Sequence, residues 1–324
     1  MSGPEIAVVI PTYMRPLRLR WLLNALEEQT LDRRRFEVLV ACDADDEETA
    51  ELLLRHPLAD AGVLRRVISP SPAAAVKRNA GWQAARAPLI AFTDDDCRPP
   101  EQWLEQALTA AGNHSGAVIQ GSTRPDPAEV LVWDSSPWAT SQTIEPPHPS
   151  GQTCNVIYPR ELLERVDGFD EAEPMGVGED TDLLERVRKT GAAYVGVAEV
   201  LTYHAVEDRT LLGRLRWIVR WQELPELFGR HPRLRRYVPL GVFWKWTHPT
   251  LLLAVAGTAL AATRRDPRWA LLVLPWAKAT WPFHGRHRRG VARSLVELPG
   301  RAAIDAMEIA VLVRGSLRHR SLFL

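Results

Sequence analysis

Thr93-Asp94-Asp95-Asp96 follows directly on the apolar run LIAF, residues 89–92. Three adjacent carboxylates repel one another, and a solvated turn or helix cap tolerates them. At a strand end in an α/β sheet, however, such a cluster is where a divalent cation is held. Magnesium or manganese bound by one or two carboxylates, with phosphate oxygens completing the shell, suits a nucleotide diphosphate. Two further acidic points stand after other elements: Asp43 closes FEVLVAC, and Glu179-Asp180 opens DTDLLERVRKTG behind Gly176 and Gly178. Each alone has a structural explanation, Asp43 in an Asp-rich helix-capping turn and Glu179-Asp180 as charge complementing a helix N-terminus. The chemical weight lies in their combination, three acidic sites on three loops of one half of the chain.

These loops need a sheet to hold them. From residue 5 to about 197, short β-branched runs alternate with amphipathic stretches, the α/β signature. Strands are expected at residues 6–10, 36–41, 63–68, 89–93, 118–121, 154–158 and 193–197, and helices near 17–29, 47–55, 73–86, 101–111, 160–166 and 180–190. Runs such as IAVVI, EVLVA and LIAFT are apolar on both faces, which implies a mainly parallel sheet covered by helices on each side. Ligands of such sheets sit beyond the carboxyl ends of the strands. Residues 125–150, rich in Pro, Ser and Thr and containing Trp133 and Trp138, read as a long functional loop.

With 324 residues, 46% hydrophobic and 25% charged, the chain is an ordinary globular one. Disorder, collagen and disulfide scaffolds are excluded. Cys42, Cys97 and Cys154 form no CxxC pair, which points to reduced thiols, and the N-terminus lacks a basic region and a long apolar run, so no signal peptide is expected. Net charge is zero but divided: up to Asp208 there are 19 Lys+Arg against 34 Asp+Glu, and beyond it 21 against 6. A soft domain boundary is placed near residue 205, giving a catalytic region 1–205 and a basic helical region 206–324. Residues 246–263 carry no formal charge, and residues 269–285 only Lys278. Both runs sit at the lower limit for crossing a bilayer core about 30 Å thick. Buried core helices are the alternative, but seven of the twelve tryptophans lie between Trp217 and Trp281, and the basic stretch 284–289 follows. That pattern favours the cytoplasmic leaflet of the cell membrane as partner over nucleic acid. The basic turn 264–268 weakens a spanning hairpin and leaves an interfacial or re-entrant pair open.

The ordered set VVIPTYMR, CDADDEET, KRNAGWQAARAPLIAFTDDDCRPP, DGFDE and GEDTDLLERVRKTG resembles the family 2 glycosyltransferases, inverting enzymes of the GT-A fold, over roughly residues 5–205. The closing run GSLRHRSLFL is similar to the end of many bacterial members. The resemblance implies a GT-A-type nucleotide-binding sandwich and sugar transfer from a nucleotide diphosphate sugar, a UDP-sugar first, to a hydroxyl acceptor on a lipid-linked or cell-envelope glycan. It further implies that Pro11, Thr12, Tyr13 and Arg15 cradle the nucleotide and that Asp43 bonds the base. Where the family has an acidic residue before that Asp, this chain has Cys42, which leaves the base open. Arg78 and Asn79 match the family's RN pair near base and diphosphate. Asp94 and Asp96 match the ends of its DxD, with Asp94 and Asp95 expected toward the ribose and Asp96 and Asp94 toward Mn2+ or Mg2+. His204, in LTYHAV, either supplies another metal ligand or is a structural hydrogen-bonder. Asp180, with Glu179 beside it, matches the general base, and Asn155 and Trp138 are expected on the acceptor side. The rivals are a sugar-nucleotide pyrophosphorylase, which would want a Gly-rich loop where PTYMRP stands; a phosphohydrolase with its DxD at the first strand; and a membrane-bound scaffold that has lost turnover.

Overall fold

The computed structural model describes residues 3–172, 177–281, 284 and 287–324. The chain divides into two compact units, Met1–Ser135 with Ala139–Asp208, and Ser136–Trp138 with Arg209–Leu324. Gly176, and Gly285 and Arg286 of the basic stretch, lie outside the described residues.

In the first unit eight strands form one mixed sheet: β1 Ile6–Pro11, β2 Phe36–Cys42, β3 Leu64–Ile68, β4 Leu89–Phe92, β5 Cys97–Arg98, β6 Val118–Pro125, β7 Val156–Pro159 and β8 Tyr194–His204, in the order β3-β2-β1-β4-β7-β6-β8-β5. Strands β1, β2, β3 and β4 run parallel, with Val8 opposite Val38 and Ala91. Because β1 and β2 are buried on both faces, their side chains feed two cores. Ile6, Val8 and Ile10 pack with Leu19, Leu22 and Leu26 on one face, and Ala7 and Val9 with Trp82 and Leu183 on the other. Parallel register brings the carboxyl ends of β1, β2 and β4 side by side, so the loops at 12–15, 43–46 and 93–96 converge. Beyond β4 the pairing turns antiparallel through β7.

Two strands run longer than the sequence pattern indicated, β6 to Pro125 and β8 to His204, and the two-residue β5 was not foreseen. The extension matters because β5 pairs Cys97 with His204, which carries the histidine to the side of Asp96. Residues 125–150 are not structureless: a helix runs Val130–Ser135, and single bridges tie Thr123 to Ile144 and Thr140 to Glu207.

The second unit is helical, with segments Leu211–Ile218, Leu224–Arg230, Thr247–Arg264, Leu274–Thr280 and Arg288–His319 joined by 3-10 turns. Among the described residues no helix is long and apolar enough to cross a membrane. The run expected around residue 246 forms one helix, whereas its partner breaks into the 3-10 segment Pro267–Val273 and a short helix. Lys245 Nζ, 2.8 Å from Asp305 and 2.6 Å from Glu308, anchors the start of the first helix, aided by His248 Nε2, 2.9 Å from Glu308.

Candidate active site

The nucleotide-side loops are tied by Lys77, which is buried although a helix lysine is usually solvated. Its Nζ donates to the Thr12 carbonyl at 2.7 Å and to Asp43 at 2.9 Å, and it sits 4.9 Å from the Tyr13 ring centroid. Sequence reasoning missed Lys77; its signal was its place one residue before the RN pair. Tyr13 itself is exposed, leaving a ring face available for stacking. Cys42 is buried and free, and its sulfur accepts from Arg66 Nε at 3.1 Å while Arg66 Nη2 donates to the Asp43 carbonyl at 2.9 Å.

The three consecutive aspartates separate by environment. Asp95 is buried, accepts from the Thr12 hydroxyl at 2.7 Å, and is pushed up to about 7 by burial and then by Asp96. Asp96 accepts from Arg15 at 3.0 Å, and the same guanidinium reaches Glu207 at 2.9 Å. Glu207 was not foreseen, since nothing local to EDRT marks it. Asp94 turns the other way, toward Arg78.

Ligand atoms of Asp94, Asp96 and His204 all lie within 4.8 Å of one another. His204 Nδ1 is 2.9 Å from the Ala205 carbonyl, a contact that only an N–H can make, and this orients the ring. Its Nε2 then faces Asp96 Oδ1 at 3.4 Å. With Asp94 beside them, Nε2 and Asp96 present one imidazole nitrogen and two carboxylates, a set of ligand types that a divalent cation takes. Two carboxylates with one imidazole suit manganese, so the residues fit the ion.

Arg78, fully enclosed, bridges two of the acidic loops. One nitrogen donates to Asp94 at 2.9 Å and another to Glu179 at 3.1 Å, with Asp180 at 4.0 Å. Burial works against its charge, but Asp94, Asp180 and Glu179 outweigh burial and raise its pKa. Asp180 accepts from the Thr153 backbone N–H at 3.0 Å through one oxygen, while the other is buried with no hydrogen-bond partner among the described residues. Burial, and then the Glu179 charge, push Asp180 up to about 7, with Arg78 pulling the other way. The neighbours thus differ: Glu179 is spent on Arg78, and one oxygen of Asp180 accepts no hydrogen bond from the described residues. Asn79 does not reach into this space. Its amide bonds Phe169 and Glu171, and its oxygen accepts from Trp82, so it locks the GFDE turn beneath Arg78.

The two acceptor-side expectations fall elsewhere. Asn155 is a buried strut whose amide donates to the Ser122 and Val200 carbonyls at 2.8 and 2.7 Å and whose oxygen accepts from Trp103 at 3.0 Å. Replacing it by Leu strands three buried polar groups, each worth about 1–3 kcal/mol when unmet. We expect a loss of about 3 kcal/mol or more in urea unfolding; unchanged stability with weakened acceptor binding would restore the acceptor role. Trp138 belongs to the second unit, where its ring lies 2.3 Å from the point a Cβ on Gly300 would occupy.

Known proteins can be set beside this geometry. The family described as Glycosyl transferase family 2 matches residues 7–167. Over 119 residues the chain is 26% identical to Glycosyltransferase AglE of Haloferax volcanii, covering 37% of this chain and 39% of that protein. Over 242 residues it is 28% identical to Validoxylamine A glucosyltransferase of Streptomyces hygroscopicus subsp. jinggangensis, covering 64% and 57%. The matches therefore span between two fifths and three fifths of these relatives' lengths. Among solved structures, the mannosyltransferase PcManGT from Pyrobaculum calidifontis, in complex with GDP-Man and Mn2+, aligns at TM-score 0.59 with 19% identity over 99% of this chain and 88% of that one. S. aureus TarS 1–349 in complex with UDP aligns at 0.52 with 16% identity over 98% and 92%. At such identities these structures bear on the fold alone: the first unit is an α/β, GT-A-like sheet.

Proposed function

The chain belongs to glycosyl transferase family 2 through residues 7–167, and from that premise we propose that it moves a sugar, with inversion, from a nucleotide diphosphate sugar to a hydroxyl acceptor. A UDP-sugar is the first donor to test, and a lipid-linked or cell-envelope glycan the acceptor class. The observation that carries this reading is Arg78, which touches Asp94 of the candidate cation site and Glu179 of the candidate base pair with one guanidinium. Leaving group and attacking hydroxyl are separated by one sugar, and one side chain bridges the groups that would serve each.

A divalent cation held by Asp94, Asp96 and His204 would neutralise charge developing on the departing diphosphate. Lys77 fixes the loop at Thr12 and the Asp43 carboxylate for the nucleoside, and Arg78 sets a preorganised positive charge beside the bond that breaks. Asp180 takes the acceptor proton as the new bond forms on the opposite face of the sugar, so the anomeric configuration inverts.

A base with a pKa of about 7 must lose its proton before it can accept one. We therefore expect kcat/KM to rise about tenfold per pH unit below pH 7 and to level off above it; a profile flat from pH 5.5 to 8 contradicts this assignment. The reading as a whole is tested by incubating the protein with UDP- and GDP-sugars and Mn2+, and following nucleotide release and the anomeric proton by NMR. One donor consumed with inversion supports it. Retention removes Asp180 as base, and release of nucleotide from none of the donors supports the inactive scaffold.

A further inference from the structure

We propose that the outer face of the helical hairpin at residues 247–280 lies flat on an anionic phospholipid leaflet. The inference is independent of the proposed chemistry, because it rests on the second unit alone. A helix on the surface of a soluble protein buries one apolar stripe and turns charge outward. Helix Thr247–Arg264 does not. Its buried stripe is His248, Leu251, Ala254 and Gly257, and its exposed side carries Leu252, Leu253 and Val255, the last 61% exposed. No charged residue stands on either side until Arg264.

The returning segment repeats the pattern. Trp276 is buried, donating to Asp305 at 2.9 Å, while Leu271 and Leu274 are 62% and 60% exposed. The two arms pack closely at Gly257, where a Cβ would come within 2.6 Å of Leu272 and of the Trp269 carbonyl, so the exposed apolar side chains of both belong to one hairpin. Exposed patches of this kind mark an interaction surface.

Charge decides the occupant. Arg264, Arg265, Arg268 and Lys278 border the apolar face, and the chain beyond Asp208 holds 21 Lys+Arg against 6 Asp+Glu. A second copy of so basic a surface would be repelled, whereas an anionic headgroup layer attracts it by about fivefold in affinity per basic side chain. Trp269 and Trp281, both partly exposed, are suited to the headgroup boundary. Since no described helix is long and apolar enough to span, the hairpin inserts about 5–10 Å rather than crossing.

The test is flotation of the full-length chain with vesicles of phosphatidylcholine alone or with a quarter phosphatidylglycerol, with bromolipid quenching of tryptophan fluorescence as second readout. The expected result is flotation at least tenfold stronger with the anionic vesicles, with shallow quenching. Leu271→Asp/Leu274→Asp, both at exposed positions, should keep the melting temperature and lose flotation by more than tenfold. Arg264→Gln/Arg265→Gln/Arg268→Gln should float only in low salt. Wild-type protein left unbound by both vesicle types overturns the proposal. So does a double-Asp variant that floats normally, or a wild-type dimer that the same variant dissolves, which would make a second copy the occupant.

Discussion

Asp180→Asn should fold, bind nucleotide sugar as the wild type does, and transfer sugar about 10²–10⁴-fold more slowly. Asn retains an oxygen for the Thr153 N–H that Asp180 now accepts, and its neutral amide suits a site whose burial disfavours charge, so stability should hold or rise slightly. If Asp180 were only a charge near a helix N-terminus, the substitution would cost about 0.3–1 kcal/mol and leave turnover intact. Glu179→Gln is the parallel measurement. Its carboxylate is committed to Arg78, so we expect a loss of stability together with a smaller fall in rate. Transfer by Asp180→Asn within about threefold of wild type, with Glu179→Gln inactive, would move the base to Glu179.

Arg78→Met should destabilise the apo protein by about 3–5 kcal/mol, the cost of leaving buried carboxylates without their cation. The low end is expected, since the Asp94 side chain is 28% exposed and water screens it. Arg78→Lys restores charge but cannot reach Asp94 and Glu179 together, because a point charge replaces a fork, so its stability should fall between the two. Manganese should recover part of the loss in Arg78→Met by neutralising Asp94. Urea unfolding with and without the ion measures this, and an Arg78→Met protein as stable as wild type would show that the bridge contributes nothing.

The strands that build the sheet were legible because they are apolar on both faces, a pattern that the helices packed on this sheet do not share. The acidic loops were legible for the related reason that clustered charge immediately after such a strand has no core to enter. What escaped was set by partners distant in sequence. Strand β5 is two residues long and exists because β8 runs on to His204. Lys77 is buried because Thr12 and Asp43, from two other loops, converge on it. Asn155 resembled a polar loop residue, yet Trp103, Ser122 and Val200 surround it. The second apolar run is interrupted by Pro275, in the first turn of the short helix Leu274–Thr280, and does not form one long helix, which its composition alone concealed.

The cation is the point on which the account of the site turns. Among the described residues, Arg15 and Arg78 are the guanidinium groups that Asp94, Asp95, Asp96, Glu179 and Asp180 face along this edge, so a diphosphate approaching without a divalent ion meets a repulsive field. Calorimetric titration of UDP and GDP into the wild-type protein, in Mn2+ and then in EDTA, measures this directly. The account predicts micromolar binding of one of them in manganese, weakened at least a hundredfold in EDTA and equally weakened by Asp96→Ala in the presence of the ion. Unchanged affinity in EDTA would contradict it.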